Sequence, residues 1–364
     1  MTIEQAGLDE AIRMAARSVE HLIAEGSVAG AAIAADTGSG VRAELAVGDR
    51  IDGSRLRADD PFLLTSITKA ITAIQILRLV EAGLLDLWTP VAEHLPDFVG
   101  EGKASVLVHH LLSHTSGLSQ RANVVEGPPT TLAAEELADH ALRTPLARPP
   151  GEVEYCSPAF WLLAGILRQC SGRDHVEDLV DLSRAAGIEP GHLAYRPEAE
   201  PPRRLVPAIA SRNVHLAEQV RRVAYPAGGV VASAGALASL GGSMVRAAHG
   251  DHGVLSSATI RTMARPWSRG VWPDGRPAVW GLGMELHGPG DLLGSPTLFH
   301  AGASGVGFWV DLERGVALSV LTANWYLPRA ALARVSNAFG AGLARGSAVG
   351  PADSTLSAPE EKAS

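Results

Sequence analysis

The sequence predicts a mixed α/β (α+β) fold in which N- and C-terminal segments build one antiparallel sheet, flanked by helices, with an inserted, mostly helical domain. Three observations lead there. Short strand-like runs with glycine-rich turns lie near both ends of the chain, helix-period segments fill the middle, and after about residue 278 the pattern becomes that of short strands. The expected partition assigns 1–80 and 226–345 to the sheet domain, 81–225 to the helical insert and 346–364 to a disordered tail.

Taken in order, Leu8, Ile12, Ala15, Val19, Leu22 and Ile23 recur at helical spacing and predict an amphipathic helix over 7–25. Val28 to Ala35 and Arg42 to Gly48 flank a Thr-Gly-Ser-Gly turn and predict a hairpin. A long helix follows from about Ser66 to Ala82, apolar on most sides and therefore expected at the centre of the fold. Further helices are expected over 106–112, 131–143, 157–170 and 233–248. Segments 121–130 and 189–207, dense in proline, glycine and charge, read as long connections. Strands are expected over 278–286, 297–300, 305–311 and 316–324, and a closing helix over 327–343.

Composition excludes several function classes. A formal charge of −8 spread over both halves, without a basic run, argues against nucleic acid as a partner. The richest apolar stretch, Ala70 to Val80, is broken by Gln75 and Arg78, so no membrane partner is expected, and no export signal is visible. Cytoplasmic localisation is the default. Cys156 and Cys170 make no disulfide framework and lack partners for a zinc site, so neither metal nor cofactor is called for. Of 31 basic residues, three are lysine (Lys69, Lys103, Lys362). A buried lysine therefore needs its own explanation, and lysine, unlike arginine, can lose its proton near neutral pH when desolvated.

Ser66-Ile67-Thr68-Lys69 places a hydroxyl and an amine three positions apart, on one helical face. A serine at a helix start also meets the positive end of the macrodipole and N–H groups with no intrahelical acceptor, which suit an oxyanion. The pattern alone is weak, but Ala70, Ile71 and Ala73 deny Lys69 a solvated stripe, so it must be paired or have a depressed pKa. Tyr155-Cys156-Ser157 is the second element. A phenol beside a lysine can be held as phenolate or pass a proton; the alternative is a packing tyrosine with Ser157 as a helix cap. Cys156 has no evident base and is a poor nucleophile candidate. The third element, His300 to Phe308, is small and glycine-rich, so a substrate could lie along it as an added strand, with the Ala303 N–H as a second oxyanion donor.

Together, and in this order, these elements resemble the class C β-lactamase-like serine hydrolases, a group of β-lactamases, D-aminopeptidases, D,D-carboxypeptidases, carboxylesterases and acyltransferases. The resemblance covers roughly residues 8–345 and includes Leu111 to Leu118, Pro150-Gly151, Pro226 to Gly229 and Trp280 to Gly283. It implies Ser66 as the acylated nucleophile, Lys69 as its activating partner, Tyr155 as general base and then acid, and His300-Ala301-Gly302 in place of a Lys-Thr-Gly strand. It also implies a penicillin-binding-protein fold.

Two departures shape the expected substrate. Ser157 replaces an asparagine, losing an amide that would contact an acyl side chain. His300 and Ala301 replace lysine and threonine, losing a fixed cation and a hydroxyl; with an ordinary pKa near 6.5, His300 is a conditional cation. The expected activity is a carboxylesterase-like serine hydrolase acting on a small-molecule ester or amide. An acyltransferase using the same acyl-enzyme is the alternative, and a β-lactamase, a D,D-peptidase or a non-catalytic binding protein comes after both. Whether Lys69 or Tyr155 is the formal base stays open, as does the oligomeric state.

Overall fold

Strands buried on both faces read as continuous apolar runs, and this chain has three of them at the centre of its main sheet. The structure is a computed structural model and describes residues 3–120, 134–195, 205–206, 221–272, 274–322, 324 and 327–346. It opens with helix α1 (Gln5–Ala24), strands β1 (Gly30–Asp36) and β2 (Arg42–Gly48), then the short β3 (Phe62–Leu63) feeding helix α2 (Ile67–Glu81). Helices α3 (Val91–His94), α4 (Val108–Leu112), α5 (Ala134–Arg143), α6 (Pro158–Ser171) and α7 (His175–Ala185) occupy the middle. Strands β4 (Leu193–Tyr195) and β5 (Val230–Ala232) precede helices α8 (Ala234–Ala248) and α9 (Ser257–Met263). The chain then runs through β6 (Ser268–Val271), β7 (Pro277–Trp280), β8 (Glu285–Leu286), β9 (Thr297–Gly302), β10 (Val306–Asp311) and β11 (Val316–Thr322) to helix α10 (Arg329–Gly346).

The eight-stranded sheet has the order β2-β1-β11-β10-β9-β8-β7-β6 and every neighbouring pair is antiparallel. N- and C-terminal segments therefore share one sheet, as the sequence predicts. Successive residues of a strand face opposite sides, and the apolar positions divide accordingly. Ala31, Ile33, Trp309, Leu318 and Val320 pack with Leu8, Ile12 and Val19 of α1 and Phe339 of α10. Ala32, Ala34, Phe308, Val310 and Leu321 face the other way, toward α2, α6 and α8. Each fully buried Leu, Ile or Phe there contributes about 1.5–3 kcal/mol through removal from water. That double-sided burial leaves β1, β10 and β11 without a polar face.

Element boundaries differ from expectation by a few residues at helix ends. The expectations leave out β3, α3, α7, β4, β5, α9 and β6, and the strand expected over 278–286 is divided into β7 and β8. Strand β4 sits inside the stretch read as a connection over 189–207, pairing with β5, which in turn pairs with β3. Its flanking Gly191 and Pro197 masked a three-residue strand whose Leu193 and Tyr195 are buried. Helix α7 starts with Asp174 accepting from the N–H groups of Val176 and Glu177 at 2.9 and 2.8 Å, a capping box written in the sequence as Asp174-x-x-Glu177. Strand β6 pairs along β7 at the edge of the sheet. The segment 121–130 and residues 347–364 of the expected tail lie outside the described residues. Among the described residues no helix is long and apolar enough to cross a membrane.

Candidate active site

Helix α2 is apolar nearly all round, and a helix of that kind is stable only when enclosed. Lys69 is carried inside with it, at 1% exposure, while Ser66 at the helix start stays half-exposed. Ser66 stands where a capping residue would, yet its backbone is already helical (φ −64°, ψ −15°) and its side chain caps nothing. The hydroxyl is thereby left for Lys69, whose Nζ donates to Ser66 Oγ at 3.2 Å and to the Ala227 carbonyl at 3.0 Å. Burial drives the Lys69 amine down to about 7, with the Cys156 thiol pulling weakly the other way.

Thr65, immediately before the nucleophile candidate, has φ +43°, a left-handed conformation that costs a β-branched residue about 1–3 kcal/mol. Ser304 holds it there. The Ser304 hydroxyl donates to the Leu63 carbonyl at 2.7 Å, its N–H donates to Thr65 Oγ1 at 3.3 Å, and the two hydroxyls lie 3.2 Å apart. Gly302 completes the contact: a Cβ there would fall 2.3 Å from the Leu64 carbonyl oxygen. The end of β9 is thus locked onto the Ser66 turn, bringing Gly302 and Ala303 beside it. Sequence reasoning names the 300–308 stretch but not Ser304, because its partners are some 240 residues distant.

Tyr155 lies in a segment that is neither helix nor strand, half-exposed, with its ring 4.9 Å from Lys69 Nζ. Burial of the phenol raises its pKa well above the ordinary value, and interaction with the Ser66 hydroxyl pulls it back in part. These surroundings favour the neutral phenol, and of the two roles open to Tyr155 they suit passing a proton better than standing as a phenolate. Ser157 occupies the N-cap position of α6 ahead of Pro158 but caps nothing; its hydroxyl interacts with Tyr225 and its N–H donates to Gln120 Oε1 at 2.8 Å. Its side chain thus has a protein partner in Tyr225.

His300 also departs from expectation. It is buried at 3% exposure, its Nδ1 meets the Ala301 carbonyl at 2.8 Å, and burial together with nearby Lys69 pushes its pKa down to about 3. The conditional cation is a neutral imidazole throughout the physiological range. Around it Tyr155, Trp280 and Trp272 form an aromatic wall, with ring centroids 5.7 Å apart for Trp280–His300 and Tyr155–Trp280 and 6.1 Å for Trp272–Trp280. The wall is anchored by Glu285, which accepts from Trp272 Nε1 at 3.1 Å and from Arg329 at 2.7 and 2.8 Å. Cys156 is buried and its thiol pKa is pushed up to about 11, so it is no thiolate. No group of metal-ligating side chains occurs among the described residues.

The family model described as Beta-lactamase matches residues 15–341 of this chain. Esterase/beta-lactamase LipL of Mycobacterium tuberculosis is 29% identical over 310 residues, covering 72% of this chain and 69% of that protein. Esterase EstB of Burkholderia gladioli is 29% identical over 327 residues, covering 76% and 81%. Among solved structures, a penicillin-binding protein homologue from Caulobacter crescentus superposes with a TM-score of 0.75 at 24% identity, over 91% of this chain and 97% of that one. With the family model spanning most of its length, this chain belongs to the beta-lactamase family, as a serine hydrolase.

Proposed function

We propose that this protein is a carboxylesterase-like hydrolase that cleaves uncharged esters and small amides through an acyl-Ser66 intermediate. The observation that carries the reading is the pairing of a half-exposed Ser66 with a buried Lys69 at 3.2 Å, the amine poised at about 7. A neutral amine can give one hydrogen to the Ala227 carbonyl and turn its lone pair toward the Ser66 O–H. Lys69 then takes the Ser66 proton as Oγ attacks the carbonyl carbon, and the oxyanion forms beside the backbone N–H groups of Ser66 and Ala303. The neutral Tyr155 phenol relays a proton to the departing alcohol or amine and is reprotonated through Lys69. Water then attacks the acyl-Ser66 carbonyl, losing its proton along the same path, and free Ser66 returns with a carboxylic acid. Base catalysis of this kind supplies about 10²–10⁴-fold in rate, and each oxyanion donor about 10²–10³-fold.

The substrate class follows from the wall. A neutral His300, two tryptophans and a tyrosine offer no fixed charge for a substrate carboxylate, which favours uncharged acyl and leaving groups over penicillin-type acids. The test is turnover of p-nitrophenyl butyrate, with covalent labelling by a fluorophosphonate and intact-mass detection of the adduct. Ser66→Ala is expected to lose both labelling and turnover; labelling of that variant at the wild-type rate overturns the reading. Adding an alcohol acceptor and analysing products separates hydrolysis from acyl transfer, since ester formation in place of acid would assign the alternative activity.

A further inference from the structure

Tyr155 has no regular secondary structure to hold it, so its hydroxyl position depends on whatever grips the segment around it. His114 grips it on three sides. The Glu154 N–H donates to the His114 carbonyl at 2.8 Å, and the Cys156 N–H donates to His114 Nδ1 at 3.3 Å, so the residues flanking Tyr155 on both sides bind one histidine. The third contact is ring on ring: the imidazole lies with its centroid 4.5 Å from that of Tyr155, tilted by 36°. Trp280 meets the imidazole edge-on at 4.5 Å and Phe160 lies at 5.3 Å, so the ring is packed among three aromatic side chains.

His114 itself is fixed in an unusual way. It is fully buried, and its φ of +58° is a left-handed conformation, sparsely populated by non-glycine residues and most accessible to Asn, Asp and His. Because a backbone N–H can only donate, Nδ1 must be the bare acceptor and any ring proton sits on Nε2. Burial keeps the ring neutral, as that arrangement requires, with Lys69 and His300 adding to the preference.

We propose that His114 is a positioning residue for Tyr155, setting the phenol hydroxyl between Ser66 and the leaving group through its carbonyl, its Nδ1 lone pair and its ring face. It touches neither substrate nor the nucleophile and acts through Tyr155. The inference rests on the proposed role of Tyr155 as proton relay.

The experiment is a double-mutant cycle on full-length protein with p-nitrophenyl butyrate, using His114→Leu, His114→Asn, Tyr155→Phe and the double variant His114→Leu/Tyr155→Phe. Displacement of a catalytic group by about 1 Å costs on the order of 10²-fold, so His114→Leu is expected to lower kcat by roughly that factor with KM little changed. His114→Asn keeps an acceptor oxygen and tolerates the left-handed backbone, so it is expected to recover most of kcat. In the Tyr155→Phe background, His114→Leu should lower kcat no further, because the hydroxyl it positions is gone. Equal losses in both backgrounds, or a rise in KM with kcat unchanged, would overturn the proposal. Should His114→Leu not fold, His114→Gly, which tolerates the left-handed backbone and removes both Nδ1 and the ring, takes its place in the cycle with the same deciding outcomes. Full activity of Tyr155→Phe would instead refute the relay reading, a result distinguishable from failure of His114.

Discussion

Replacing Lys69 by methionine removes a buried amine of similar length from the centre of α2 and separates its cost to the fold from its use in chemistry. Its pKa falls from an ordinary 10.5 to about 7, which corresponds to about 5 kcal/mol of unfavourable transfer for the charged form. Against this stand two hydrogen bonds, to Ser66 Oγ and the Ala227 carbonyl, worth about 0.5–1.5 kcal/mol each. The net expectation at pH 7 is that Lys69→Met stabilises the protein by about 2 kcal/mol while abolishing turnover. The sign can be checked against pH. Between pH 7 and 10.5 the unfolded chain holds a proton on Lys69 that the folded chain has lost, so folding becomes more favourable as pH rises through that window. The penalty on the wild type is full below pH 7 and gone above 10.5, so the stability gap between the two proteins should close across it. Urea unfolding of both at pH 6.5, 8 and 9.5 measures this. A variant less stable than wild type at pH 6.5, or a gap that does not change with pH, would refute the reasoning.

If Lys69 is the base proposed above, kcat/KM for an uncharged ester should rise with an apparent pKa near 7, and His300→Gln should leave that limb in place because burial keeps His300 neutral there. Gly302→Ala would drive a Cβ to 2.3 Å from the Leu64 carbonyl oxygen; fluorophosphonate labelling of Ser66 should slow by at least about 10²-fold as β9 is pushed from the nucleophile turn. Glu285→Ala strands the Arg329 guanidinium without its buried partner, and a loss of about 3–5 kcal/mol is expected in urea unfolding, with quenching or release of Trp272 fluorescence as the local readout.

Much of the candidate site was legible because its central pair is local. Ser66 and Lys69 are three residues apart, and the apolar residues around them declare burial without any tertiary information. Lysine scarcity was a weaker signal than it looks, since Lys103 is buried too, its Nζ bonded to the Leu142 carbonyl and 4.7 Å from the centre of the Phe98 ring. That lysine is structural, and what sets it apart in the sequence is that Gly100, not a serine, stands three residues before it. The state of His300 was not legible, because the strands and tryptophans that desolvate it come from elsewhere in the chain. Ser304 and His114 escaped for the same reason: each acts on a backbone segment far away in sequence, at separations of 241 and 42 residues. In the fold, long double-buried strands announced themselves, whereas β4, three residues among glycine and proline, did not.

The sheet order has a consequence in time. Ser66 and Lys69 leave the ribosome early, but β9, which locks the Ser66 turn, and β11, which joins β1 to the rest of the sheet, are made far later. At ordinary synthesis rates the interval is about 10–50 s. Throughout it the serine lacks the Gly302–Ser304 edge that shapes its turn, so a chain cut short before β9 is expected to leave Ser66 unlabelled by a fluorophosphonate.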